Sequence, residues 1–167
     1  MDTEGTLAPA TPADAREEYA TLVPAAKVAV REATKAMSFD REEYAERVTG
    51  EVIETVRDAL FASLLRVHVG TREEYEAWLD DHPEYESDMA GSDNVDNVVW
   101  HPVAFAPDGE GERTKPVVAA TWQAEREAAL GTLRRRAFGR AYRPVVADDG
   151  DDEGGTEPEP NDEAGEP

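Results

Sequence analysis

Residues 40–69, DREEYAERVTGEVIETVRDALFASLLRVHV, form the longest apolar-periodic run in the chain, and any fold must bury its stripe. Tyr44, Val48, Val52, Val56, Leu60, Leu64 and Val67 fall three or four residues apart, the spacing that lines one face of a helix. Asp40 followed by Glu43 predicts a capping box, because each side chain reaches an orphan amide of the first turn. From Ala59 onward Arg66 is the firmly charged residue, so that half belongs to the core. Gly50, beside Thr49, weakens a helix interior by about 1 kcal/mol and permits a bend. The run therefore reads as one long helix or as two.

Start signals of the same kind recur. Thr11, Pro12 and Asp14 open a helix. Pro24 disfavours a helical Val23, which splits it into segments of about 12–22 and 24–37. Thr71 with Glu74 opens another, closed by Pro83, with Tyr75, Trp78 and Leu79 on its buried face. The tetrapeptide REEY begins at Arg16, Arg41 and Arg72, but the flanks differ, and acidic residues suit any first helical turn. It marks helix starts rather than a repeat.

From Glu84 the period shortens to two. Tyr85, Ser87 and Met89 alternate with acids, and residues 91–94 supply a turn. Val99, His101, Val103 and Phe105 share a face of a second strand, in which Pro102 suggests an edge or a bulge. Residues 107–116 form a polar loop before a third strand at 117–122. A last helix spans about 123–142 and gathers Arg134, Arg135, Arg136, Arg140 and Arg143 near its end. The expected fold is α+β and mainly helical, with a three-stranded antiparallel meander covered on one face by helices. Residues 1–11 are expected to be loose and 12–146 to form one domain. Residues 147–167, which hold ten acids and no base, should be disordered.

Charge bears on habitat before it bears on function. The formal net charge is -21, and of 17 basic residues only Lys27, Lys35 and Lys115 are lysines. An acidic, lysine-poor, arginine-leaning surface suits molar salt, where a Debye length of about 3 Å screens self-repulsion. The stretches FDREEY, DALFASLL, HVGTREEYE, DHPEYE and LRRRAFGRAYR resemble a family of small acidic haloarchaeal proteins of unknown function, over roughly residues 1–145. The resemblance implies an archaeal, cytoplasmic protein and brings no activity, cofactor or catalytic residue with it.

The chain has no cysteine, which removes disulfides, thiolate metal sites and cysteine nucleophiles and suits a reducing compartment. It shows no phosphate loop, dinucleotide fingerprint, HExxH or nucleophile elbow. No apolar run approaches the roughly 20 residues of a membrane span. His68 is expected in the last helical turn of the central run and His82 at a helix end, while His101 follows Trp100 on a strand. The leading reading is a non-catalytic protein-interaction module, with a possible surface at Trp100, His101, Trp122, Arg135, Arg136 and Arg140. A nucleic-acid binder using the arginine cluster is the alternative, although the acidic balance opposes it. A small enzyme near His101 is the third reading. No cofactor or metal is implied.

Overall fold

The computed structural model describes residues 1–107 and 114–147, so the tail from 148 onward and the centre of the polar loop lie outside the described residues. Local capping chemistry sets the helix starts. Thr11 accepts from the Asp14 amide at 3.1 Å and opens α1, Pro12–Thr21. Proline at the second position of the next helix separates it as α2, Val23–Ala36. Asp40 accepts from the Glu43 amide at 2.8 Å and opens α3, Arg41–Arg47. The central run is thus two helices and a strand. Val48 turns extended, Thr49 caps a new start, and α4 runs Gly50–Leu64.

The end of that run departs from the helical expectation. Leu65 is extended, and Val67–Thr71 is strand β2, which places His68 on a strand and not in a last helical turn. The spacing of Leu64 and Val67 fits a helix, but the alternation of Val67, Val69 and Thr71 fits a strand equally well, and pairing with two neighbours decides it. Immediately after it, Thr71 and Glu74 form a reciprocal capping box at the start of α5, Arg72–Asp81.

Among the described residues the sheet has five strands and is mixed, which corrects the expected three-stranded antiparallel meander. Strand β1, Asp2–Glu4, lies within the stretch read as loose and pairs antiparallel with β2. The remaining strands are β3, Tyr85–Ala90, β4, Asn97–Pro102, and β5, Lys115–Thr121. Their order is β1-β2-β4-β5-β3, with β3 parallel to β5 and the other pairs antiparallel. The difference has a physical cause. Pro116, Val117, Val118 and Ala119 are buried on both faces of β5, so that strand takes an interior position, between β4 and β3. Glu86 and Ser87 of β3 are exposed, which suits an edge. Pro102 ends β4 where its pairing stops, needing neither bulge nor edge.

Each sheet face carries its own core. On one side Val67, Val99, Val103 and Val118 meet Ala15, Tyr19, Phe61, Leu130, Leu133, Phe138 and Tyr142 from the helices. Phe61 of α4 is the hub, with ring centres 5.9 Å from Tyr19, 5.7 Å from Phe138 and 5.4 Å from Tyr142. On the other side Tyr75 of α5 packs with Val98, Trp100, Val117 and Ala119. Helices therefore cover both faces of the sheet. The last helical stretch is α6, Arg126–Ala137, a π-helical turn, Phe138–Tyr142, and α7, Arg143–Val146. The wider turn directs Phe138, Ala141 and Tyr142 inward together. No helix among the described residues is long and apolar enough to cross a membrane.

Candidate interaction surface

His101 is committed inside the fold. It is 1% exposed, and its Nδ1 faces the carbonyl of Arg66 while Nε2 lies 2.6 Å from the hydroxyl of Tyr142. A carbonyl only accepts, so Nδ1 carries the proton and Nε2 accepts from Tyr142. Burial pushes the imidazole down to about 4, so it is neutral, and burial also raises the Tyr142 phenol. With both ring nitrogens occupied, His101 has no atom left for a substrate. Its neighbour Trp100 is fully enclosed between His68 and Tyr75, at ring-centre distances of 5.4 and 5.2 Å. Trp122 is partly buried against the main core, and Trp78 stacks on His82 at 4.2 Å. The three histidines do not converge on a metal position: among the described residues no group of three His, Cys, Asp or Glu side chains could hold one.

The arginine cluster is spent largely on the protein itself. Arg134 donates from Nε to the Leu65 carbonyl at 3.0 Å, tying α6 to the end of α4. Arg136 donates to the Ala119 carbonyl at 3.2 Å and pairs with Asp88, which Arg140 also meets at 2.8 Å. These contacts tie the last helices to the β3–β5 edge of the sheet. Arg143 lies over the Phe138 ring at 5.3 Å and approaches Asp58 at 3.9 Å. Arg135 is exposed and makes no ion pair among the described residues.

An exposed face built from small and apolar residues lies elsewhere. Phe61 and Ala62 of α4 point into the core, which turns Val52, Thr55, Ala59 and Ser63 outward, with Val56 half-buried between them. On α6, burial of Leu130, Leu133 and Ala137 turns Ala128, Thr132 and Arg135 outward. Where the two helices run side by side they enclose a groove of about 370 Å³, floored by Ala59, Ala62, Ser63, Ala128, Gly131 and Thr132. Glu127 and Arg135 also line it. Val52 and Leu64, each 37% exposed, extend apolar surface along α4.

Of the expected surface residues, the structure brings Arg136 and Arg140 together on Asp88, encloses Trp100 and His101, and leaves Arg135 beside the groove. Sequence reasoning missed Ala59, Ser63, Ala128, Gly131 and Thr132. The available signal was negative: in a chain that is 33% charged, the stripe of Val52, Thr55, Val56, Ala59 and Ser63 on α4 carries no charge, although Glu51 and Glu54 flank it.

Residues 6–143 match the model of a family of unknown function, DUF5809. The chain belongs to that family. The DUF5809 match includes both α4 and α6, and so the whole groove. No curated protein and no solved structure gives a significant match.

Proposed function

We propose that this DUF5809 chain is a non-catalytic protein-interaction module of a salt-rich cytoplasm, and that it docks its partner on the α4/α6 face. The observation that carries the reading is the uncharged stripe of Val52, Thr55, Val56, Ala59 and Ser63 on α4 continuing into the groove beside α6, on a chain whose acids otherwise crowd the exterior. A helix or loop laid there removes apolar area from water at about 25 cal/mol per Å² and meets one carboxylate in the groove, that of Glu127. Concentrated salt strengthens such burial while it screens the acidic exterior. The habitat draws support from the three lysines against fourteen arginines and from the haloarchaeal resemblance.

Nucleic-acid binding finds less support, because Arg134, Arg136, Arg140 and Arg143 all have partners within the chain and Arg135 alone offers little to a phosphate backbone. A reaction at His101 finds less still, given its enclosure.

Site-specific photo-crosslinkers test the proposal. Placed at Ser63 and Thr132 in the living source or its concentrated-salt extract, they should capture one protein of defined mass, and a crosslinker at exposed Glu76 on α5 should not. Equal capture from all three positions, or none from Ser63 and Thr132, overturns the assignment of this face.

A further inference from the structure

We infer that the occupant of the α4/α6 face is a second copy of this chain, bound about a two-fold axis that passes beside Gly131; this rests on the reading of that face as an interface.

Three features of α6 point to self-pairing. Gly131 sits in the helix interior, where glycine is disfavoured by about 1 kcal/mol against alanine. A Cβ built there meets nothing within 4 Å, so packing inside the chain does not require the glycine. Close approach of another backbone does require one. The charges are arranged symmetrically about the same point. Glu127 and Arg135 lie four residues to either side of Gly131, which is about 6 Å along the axis in each direction. Two antiparallel copies of α6 crossing at Gly131 therefore set Glu127 of each against Arg135 of the other, twice by symmetry. Both side chains are free to do so: among the described residues Arg135 has no ion pair, and Glu127, 84% exposed, pairs with the adjacent Arg126 alone, at 3.3 Å.

Net charge selects the same surface. An acidic chain repels its own copy across most of its exterior, but along α6 Arg126 is offset by Glu4 and Arg136 by Asp88, which leaves Arg134 and Arg135 against the single acid Glu127. Approach along α6 avoids placing acid on acid. Ala128 and Thr132 beside Gly131 keep the crossing close, and Ala59 and Ser63 of α4 flank it as the second wall of the groove.

Sedimentation equilibrium of the full chain over a concentration series, in about 2 M and about 0.3 M KCl, reads the association directly. The wild type should form a dimer, tighter at the higher salt. In about 0.3 M KCl, where screening is weaker, Glu127→Arg alone and Arg135→Glu alone each convert two attractive contacts into two repulsive ones and should weaken the dimer about tenfold, and by less in about 2 M. The double variant Glu127→Arg with Arg135→Glu should restore it. Gly131→Gln, which has open space within the chain and the better helix propensity, should melt no lower than the wild type and lose the dimer. A wild type that stays monomeric throughout the series overturns the inference, as does a dimer indifferent to Gly131→Gln or unrescued by the charge swap. The two readings fail separately. A monomer whose Ser63 crosslinker captures a different protein keeps the docking face and loses the second copy, whereas a dimer that crosslinks through Glu76 loses both.

Discussion

Acidification should loosen this fold through His101 in a way that can be isolated from the carboxylates. The folded imidazole titrates at about 4 against 6.5 for an ordinary histidine, because burial opposes its charge. Between these two values the unfolded chain binds a proton that the folded chain refuses. Stability from this group is therefore complete above pH 6.5 and is lost as pH falls toward 4. Across the whole window the loss is about 3 kcal/mol, of which about 2 kcal/mol falls between pH 7.5 and pH 5. Many carboxylates and the half-buried His68, also pushed down by burial, titrate nearby. A difference removes them. Urea unfolding of the wild type and of His101→Gln is measured in concentrated KCl at pH 7.5, 6 and 5, and the stability gap is followed with pH. Glutamine is less stable at neutral pH, since it cannot keep both bonds, to the Arg66 carbonyl and the Tyr142 hydroxyl, at the imidazole positions. The gap should narrow by about 2 kcal/mol at pH 5 because only the wild type has the titrating group. A gap that stays constant from pH 7.5 to 5 refutes the account of His101 as a buried neutral fastener.

Other outcomes follow from single positions. Ser38 takes φ +58° at the end of α2, where the Phe39 amide reaches the Thr34 carbonyl and the Ser38 amide reaches that of Lys35, both at 3.0 Å. Ser38→Gly should raise stability by about 1 kcal/mol by relieving the left-handed conformation, as a denaturant midpoint will show. Gly91 has φ +114°, and a Cβ there would fall 1.9 Å from Thr121 Oγ1, so Gly91→Ala should cost at least about 2 kcal/mol by the same measurement. Thermal melts should rise from dilute to molar KCl as screening removes carboxylate repulsion, and a melting point indifferent to salt would remove the halophilic premise.

What the sequence discloses about this fold is mostly what short-range chemistry decides. Thr11, Asp40 and Thr71 are readable as caps because the side chain and the amide it serves lie three residues apart. Pro24 is readable as a break for the same reason, with α1 ending at Thr21 and α2 beginning at Val23. Strand order is not local. Residues 85–90 and 97–102 are neighbours in sequence, yet β5 enters between them because it is apolar on both faces. Strand β1 offers three residues, Asp-Thr-Glu, with no apolar pattern, and exists through pairing with β2. The site divides similarly. Trp100 and His101 carry the chemistry that attracts notice, but their enclosure depends on α5 and on Tyr142, far away along the chain. Ala59, Ala128 and Gly131 attract none, since the groove they line arises only from the juxtaposition of α4 and α6.

Because the chain contains no cysteine, a single introduced thiol reports the state of the proposed docking face without background. Ser63→Cys and Ala128→Cys place it on the two walls of the groove, and Glu76→Cys places it on α5 across the sheet. The measurement is the rate of maleimide labelling in the living source, compared with that of the purified chain diluted until it is monomeric in the same salt. Protection of Cys at 63 and 128 in the cell, with unchanged labelling at 76, is the result predicted for a face covered by a protein partner. Equal labelling at all three positions in both settings would contradict it.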